Sequence, residues 1–427
     1  MRSALLIAGL LCTAIDAGSA DSGAALSYTF TSAPKYDASQ LGRERFPEGA
    51  SIVLVTPDGR RPLAPSFQAS ADPAVSFDGT RILFAAKSAA AHWQIWEAPL
   101  AGGTPRQVVR CDADCIHPLY LPDGRVVYTR LSPTGSDLEI AGAAGDPPRR
   151  LTFAPGRHIS NDVLRDGRIL FESDGELFTV YPDGTGVESL RCDHGPRRAG
   201  ARQLSSGDVI FAVGTRLARF TPALPMQTGL VQPDLEPAAP VAEVSPGKWL
   251  ISLRKPHGLF ALYVWTQDGR RLTPLEVPAG LNAIQPAVIA RKVPPRQFPS
   301  GLVESRKTAN LLCLDARASR EPLAAPAQAV QVYTRDSAGS SILLGSQKLA
   351  GDGSFFVELP ADAPLRIDLV DASGHPVRSE HSWFWMRPSE QRICVGCHLG
   401  PERAPENKVP EVLLRSTVPE KLLGKTP

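Results

Sequence analysis

The stretch Phe77-Asp78-Gly79-Thr80-Arg81-Ile82-Leu83-Phe84 sets a pattern that the chain repeats: a tight turn, then an alternating apolar run. It returns as Pro122-Asp123-Gly124-Arg125-Val126-Val127-Tyr128 and as Arg165-Asp166-Gly167-Arg168-Ile169-Leu170-Phe171. Ser206-Gly207-Asp208-Val209-Ile210-Phe211 and Pro246-Gly247-Lys248-Trp249-Leu250-Ile251 complete the set. The turn residues Gly79, Gly124, Gly167, Gly207 and Gly247 are spaced by 45, 43, 40 and 40 positions. A period of about 40–45 residues, with room for four short strands each, is the spacing of propeller blades.

A second turn follows each anchor, at Gly102-Gly103, Gly145-Asp146, Asp183-Gly184 and Asp268-Gly269. Such pairs suit two-residue hairpin turns, in which both central residues take positive φ. Each repeat therefore reads as strand, turn, strand, strand, turn, strand. Residues 51–63 supply only the outer half of one more blade, and residues 284–292 only a single strand. Joining them closes the ring and protects its edges, which predicts six blades over residues 45–295. The repeat resembles the TolB-like propeller family, which implies a fold more than a function.

Composition agrees with many short strands. The 427 residues include 36 Gly and 40 Pro, 43% hydrophobic and 21% charged residues, so the chain is a globular protein without long helical bundles. The formal charge of +2 excludes a nucleic-acid or membrane-surface binder that works through a basic field. Residues 1–20 read as an export signal: Arg2, an apolar run over 4–15 interrupted by no charge, and Gly18-Ser19-Ala20 as the cleavage site. A periplasmic protein is expected, with no membrane span after cleavage, and residues 21–44 as a linker into the propeller. Beyond Pro294-Pro295 the strand patterns at 329–334, 341–344, 354–359 and 365–370 predict a small β-sandwich-like domain over 296–386. Trp383 and Trp385 close it, either as its core or as a platform for a cofactor. Residues 387–427 read as a loop-rich segment and tail.

That segment holds Cys394-Val395-Gly396-Cys397-His398. CxxCH in an exported chain is a c-type haem attachment site, in which two thiols add to haem vinyl groups and the histidine ordinarily ligates iron. One such motif predicts one covalent haem c. The alternatives are a disulfide or half of a zinc site. Cys111, Cys115, Cys192 and Cys313 remain, and in an oxidising compartment an even number of cysteines also fits disulfides. His117, which precedes Pro118, is positioned to line the propeller axis, with His158 and His194 in similar approaches. Arg149-Arg150 and Arg197-Arg198 read as blade-surface charges.

The runs Ile342-Leu343-Leu344-Gly345, Asp352-Gly353-Ser354-Phe355-Phe356-Val357-Glu358-Leu359-Pro360 and Trp383-Phe384-Trp385-Met386-Arg387-Pro388, followed by Glu390, Arg392 and the CxxCH, resemble the hydrazine synthase alpha subunit family. The resemblance covers about residues 45–420. In that family the histidine of the CxxCH joins three cysteines around zinc, and a tyrosine four positions later holds the iron. Carried over, the resemblance implies a zinc site of Cys115 (or Cys111), Cys192, Cys313 and His398. It puts Glu402 where the tyrosine stands, as the iron ligand or as a loop residue. The chain runs only 29 residues past His398, without the family's second haem motif, so hydrazine synthesis itself is not implied. The expected function is redox or small nitrogen- or oxygen-ligand chemistry at an accessible haem, served by an unidentified redox partner or subunit. The rival is a propeller binding or scaffold protein whose haem or metal site is structural.

Overall fold

The computed structural model describes residues 26–424 except 48, 89–91, 143–146, 192–194, 223, 231–233, 267–270, 276, 278, 298, 320–321 and 397–407. Its architecture is all-β: six four-stranded antiparallel sheets form a propeller, and two further four-stranded sheets form a second domain.

Blade two shows the unit. Its strands Ala69–Val75, Arg81–Lys87, Gln94–Pro99 and Arg106–Val109 run antiparallel in that order from the axis outward. Blades three to six repeat this over 115–150, 158–189, 199–229 and 236–274. The turn glycine always separates the innermost strand from the second. In blade two Gly79 N donates to Ser76 O at 2.9 Å and Ser76 N donates to Arg81 O at 2.9 Å. Gly79, at φ +72°, is the one residue of that turn in the left-handed region. The outer turn of blade four behaves alike: Gly184 has positive φ but Asp183 does not. These two turns thus need one left-handed residue each, which a glycine supplies without steric cost. In the outer turn of blade two, by contrast, Gly102 and Gly103 both have positive φ, as the expected pair requires. Gly145-Asp146 and Asp268-Gly269 lie outside the described residues.

Blade one is the closure. The late strand Asn282–Val288 lies innermost and pairs with Tyr28–Ala33, which pairs with Ser51–Thr56 and then Gly59–Pro62. The half-blade at 51–63 and the strand at 284–292 do meet in one sheet, through an intermediary. That intermediary falls inside residues 21–44, expected as a linker. Tyr28–Ala33 is buried at every position, so it is propeller core.

The second domain packs two sheets face to face. One has Gln391–Cys394, Thr308–Cys313, Phe355–Pro360 and Glu420–Lys421. The other has Ser341–Lys348, Ala329–Arg335, Arg366–Val370 and Pro376–Ser379. Leu311, Cys313, Val330, Val332, Val357, Leu359 and Leu369 share the core between them. Residues 391–394 and 420–421, expected in a loop-rich tail, are strands of this sandwich.

Trp385 belongs to neither sheet. It is 1% exposed and lies in the apolar cluster between blades three and four, with Ile140, Leu151, Phe171 and Val180. Its ring meets His158, Phe171 and Phe153 at centroid distances of 6.1, 6.3 and 6.4 Å, and its Nε1–H donates to Gly184 O at 3.0 Å. It is a wedge from the sandwich into the propeller. No helix among the described residues is long and apolar enough to cross a membrane.

Candidate functional site

Each innermost strand is interrupted midway by a register shift, at residues 71–74, 116–119, 160–162, 199–202 and 238–242, and between Ile284 and Ala287 in the closing strand. A bulge leaves one residue outside the ladder and re-aims its side chain. Bulges in all six innermost strands therefore break the ladder along the axis.

Three of these residues, Asp72, His117 and Gln285, have φ of +58°, +50° and +53°. They lock one another. Gln285 Nε2 donates to Asp72 Oδ1 at 2.5 Å, Asp72 N donates to Gln285 Oε1 at 3.0 Å, and His117 N donates to Asp72 Oδ2 at 3.1 Å. Arg45 completes the knot from the segment between Ala33 and Ser51, which dips into the mouth of the ring. Its guanidinium donates to both oxygens of Asp72 at 2.8 and 2.7 Å and to His117 Nε2 at 2.7 Å.

Arg45 and Asp72 are both buried. Burial opposes ionisation of Asp72, but Arg45 and His117 outweigh it and hold the carboxyl at about 2. Burial, with the Arg45 and Arg202 guanidinium groups nearby, lowers His117 to about 4, so its imidazole is neutral near pH 7. Since Nε2 accepts from Arg45, the proton sits on Nδ1, which lies 3.5 Å from Asp72 Oδ1.

This knot divides the axial channel in two. A cavity of about 660 Å³ opens where the innermost strands begin, lined by Tyr36, Arg157, Glu172, Arg197, Arg198, Arg202 and Arg254 among others. A second, of about 570 Å³, opens where those strands end. His117, Arg202 and Gln285 line both. Burial pushes the Glu172 carboxyl up to about 7, against the pull of Arg197 and Arg157.

His117 reaches the axis as its place before Pro118 implies. His158 does not: it is buried under Trp385 and bonds Ala154 O through Nε2 at 2.9 Å. His194 lies outside the described residues. Arg149 is a surface charge paired with Glu304, but Arg198 is not: it is 2% exposed, over the rings of Phe211 and Phe220.

Asp72, Gln285, Arg45 and Arg202 escaped the sequence reading, although a signal exists. Asp72-Pro73, His117-Pro118, Ala239-Pro240 and Gln285-Pro286 recur in phase with the blades, and the first two stand seven positions before Gly79 and Gly124.

Of the motif residues, Cys394 ends the edge strand Gln391–Cys394, beside Cys313 in parallel register. Leu314 N donates to Cys394 O at 2.9 Å, which fixes the backbone where the motif begins. Burial pushes the Cys394 thiol up, and Glu188 of blade four is among the charges acting on it. Cys397, His398, Glu402 and Cys192 lie outside the described residues.

Of the zinc set, the described residues include only Cys313 and the alternatives Cys115 and Cys111. Cys111 and Cys115 are joined in a disulfide with their Cα atoms 6.4 Å apart, so neither sulfur is a thiolate. Cys115 is moreover enclosed in the propeller core, whereas Cys313 is in the sandwich core. The two cysteines stand four positions apart at the entry of the strand Cys115–Tyr120, close enough for a local pairing.

Residues 309–399 match the family model of the hydrazine synthase alpha subunit middle domain. Hydrazine synthase subunit alpha of Kuenenia stuttgartiensis is 34% identical over 61 residues, which is 14% of this chain and 8% of that relative's length. In fold, the Kuenenia stuttgartiensis hydrazine synthase structure superposes with a TM-score of 0.80 at 17% identity, covering 91% of this chain and 71% of the other. TolB from Acinetobacter baumannii aligns with a TM-score of 0.47 at 15% identity, over 62% of this chain and 66% of its own.

Proposed function

We infer that the chain is hydrazine synthase alpha-like, from the match of its middle domain in sequence and of propeller and sandwich in fold. We propose that it is an exported monohaem protein with haem c held by Cys394 and Cys397, performing redox or small nitrogen- or oxygen-ligand chemistry. The observation that carries this reading is that the middle-domain match runs to residue 399 and so includes the whole Cys394–His398 motif.

The surroundings of Cys394 fit such a group. A half-buried thiol at the end of an edge strand is anchored on one side by sheet pairing and open on the other. Burial keeps the Cys394 sulfur in its neutral S–H form in the chain as folded without the group. A bound haem would supply one-electron transfer and an iron open to small ligands.

The chain's own contribution is to hold this edge against the propeller. Arg387 Nε donates to Asp183 O at 3.0 Å, and its Nη1 donates to Asp362 Oδ1 at 2.7 Å. Glu390 accepts from Gly186 N at 3.1 Å and from Arg392 Nη2 at 2.7 Å. A site fixed by two domains keeps its geometry as the redox state changes.

The test is expression in a host that matures c-type cytochromes, followed by a pyridine haemochrome spectrum and haem staining after denaturing electrophoresis. One haem per chain, lost in the Cys394→Ala, Cys397→Ala double variant, supports the reading. A wild-type chain without haem, or a double variant that still stains, overturns it.

A further inference from the structure

The larger axial cavity carries more positive charge than its structure needs. Two of its arginines have carboxylate partners: Arg45 binds Asp72, and Arg254 donates to both oxygens of Glu236 at 2.8 and 2.7 Å. Arg198 donates from Nε to Gln227 Oε1 at 3.1 Å and rests on aromatic rings. Arg157, Arg197 and Arg202 form no ion pair within 4.0 Å with any carboxylate among the described residues, although Arg157 and Arg197 act on Glu172 and Arg202 on Asp162 from farther away.

Arg202 is the strongest anomaly. It stands at the floor, where both cavities meet, two positions beyond the bulge residue Gly200. A guanidinium has five N–H donors in a fixed fork. Here the contact among the described residues is a single long one, Nη1 to Ala201 O at 3.4 Å. The nearby carboxylate of Asp162 is occupied by backbone donors, Val163 N at 2.9 Å and Gln203 N at 2.8 Å. An arginine kept for structure alone is normally matched like Arg254; one left with unused donors toward a cavity suits an incoming acceptor.

Shape and charge then define the ligand class. A cavity of about 660 Å³ is in the range of small-molecule sites. Against the three unmatched arginines stand Glu172 and Asp174 on the same wall, with Asp37 at the entrance. Asp37 is exposed and already accepts from Ser39, and burial keeps much of Glu172 protonated at pH 6.5, so the balance in the cavity favours an anion. Tyr36, Phe260, Ala238 and Pro240 give the opposite wall apolar surface for the body of a small organic molecule.

We propose that this mouth of the propeller binds a small anion carrying carboxylate or phosphate oxygens, received by Arg202 at the floor and by Arg157 and Arg197 at the rim. The planar fork of arginine matches both head groups in bidentate fashion. The site is independent of haem attachment, so it can be tested whatever the outcome at Cys394.

The experiment is isothermal titration of the full exported chain with citrate and with inorganic phosphate, at pH 6.5 and an ionic strength held constant with sodium chloride. The expected result is saturable one-to-one binding of at least one anion. Arg202→Gln and Arg197→Gln should each weaken it about tenfold or more, as loss of a charge-assisted contact does. Arg149→Gln, on the outer surface, should leave it unchanged. Arg157 and Arg197 are exposed at the rim, so Arg157→Gln and Arg197→Gln carry the test if Arg202→Gln does not fold. No saturable heat with either anion at about 10 mM overturns the proposal. So does an Arg149→Gln loss equal to that of Arg197→Gln, which would mean general attraction to a basic surface.

Discussion

Truncating the wedge, Trp385→Ala, should separate the sandwich from the propeller. The side chain is 1% exposed. A tryptophan buries about 200 Å², and at about 25 cal/mol per Å² that area contributes about 5 kcal/mol. The Nε1–H bond to Gly184 O adds about 1 kcal/mol. Partial collapse of the space left behind brings the expected loss to about 3–5 kcal/mol. Because the ring packs among blade residues, the loss falls on docking, not on the sandwich core. Scanning calorimetry of the variant should therefore show two transitions in place of one coupled transition. Limited proteolysis should cut faster in the exposed stretch before Thr308. Trp385→Phe keeps an aromatic ring but strands the Gly184 carbonyl, and should cost about 1–3 kcal/mol. If Trp385→Ala lowers only the sandwich's own melting and leaves cleavage before Thr308 unchanged, the wedge is wrong.

Asp72 has a folded-state pKa below its unfolded value, so its contribution to stability is present above about pH 4 and is lost as pH falls toward 2. Asp72→Asn leaves the buried Arg45 charge unmatched and should cost about 3–5 kcal/mol at pH 7; the gap between the melting curves of the two proteins should narrow as pH falls from about 4 and close only below about pH 2, and a gap of constant size from pH 7 to 2 refutes the assignment. Peptide mapping without reduction should recover Cys111 linked to Cys115 in one peptide; a thiol-reactive label on either residue of the folded, oxidised protein would refute the pairing. Deleting residues 26–63 removes three of the four strands of the closing blade and exposes the edge of Asn282–Val288, so the truncated chain should aggregate or lose its cooperative melt, and an unchanged monomeric melt would show that closure does not hold the ring.

What was legible in the sequence is what short-range chemistry decides. The turn glycines and the alternating runs after them mark blades because a left-handed residue and a half-buried strand each leave a local signature. Tyr28–Ala33 was missed for the same reason. It is buried on both faces, it has no turn glycine beside it, and its partners lie 19 or more residues away at one edge and over 240 away at the other. Arg198 shows the limit from the charged side. Nothing near Pro196-Arg197-Arg198 announces that Phe211 and Phe220 will enclose one arginine and leave its neighbour at the cavity rim. Cys313 and Cys394 are brought together by a parallel pairing across 81 residues, which no spacing rule displays.

The axis is where the repeat departs from itself, and the departures have a common physical form. A proline cannot donate to the ladder, so in an inner strand it is tolerated where a bulge has already interrupted pairing. The residue before it is then outside the ladder, and in Asp72, His117 and Gln285 it takes the left-handed conformation at a cost of about 1–3 kcal/mol each. Strain of that size persists only when the neighbours over-determine it. Here they do, through a buried ion pair and a closed ring of hydrogen bonds among Arg45, Asp72, His117 and Gln285. Blade five breaks the pattern with Gly200, which has no side chain to join the knot and whose added Cβ would stand 2.4 Å from Ala239. The close approach of the two inner strands at that point leaves the blade's polar contribution to the next outward position, Arg202. Its guanidinium is consequently an axial charge that the knot does not neutralise, left facing the cavity floor.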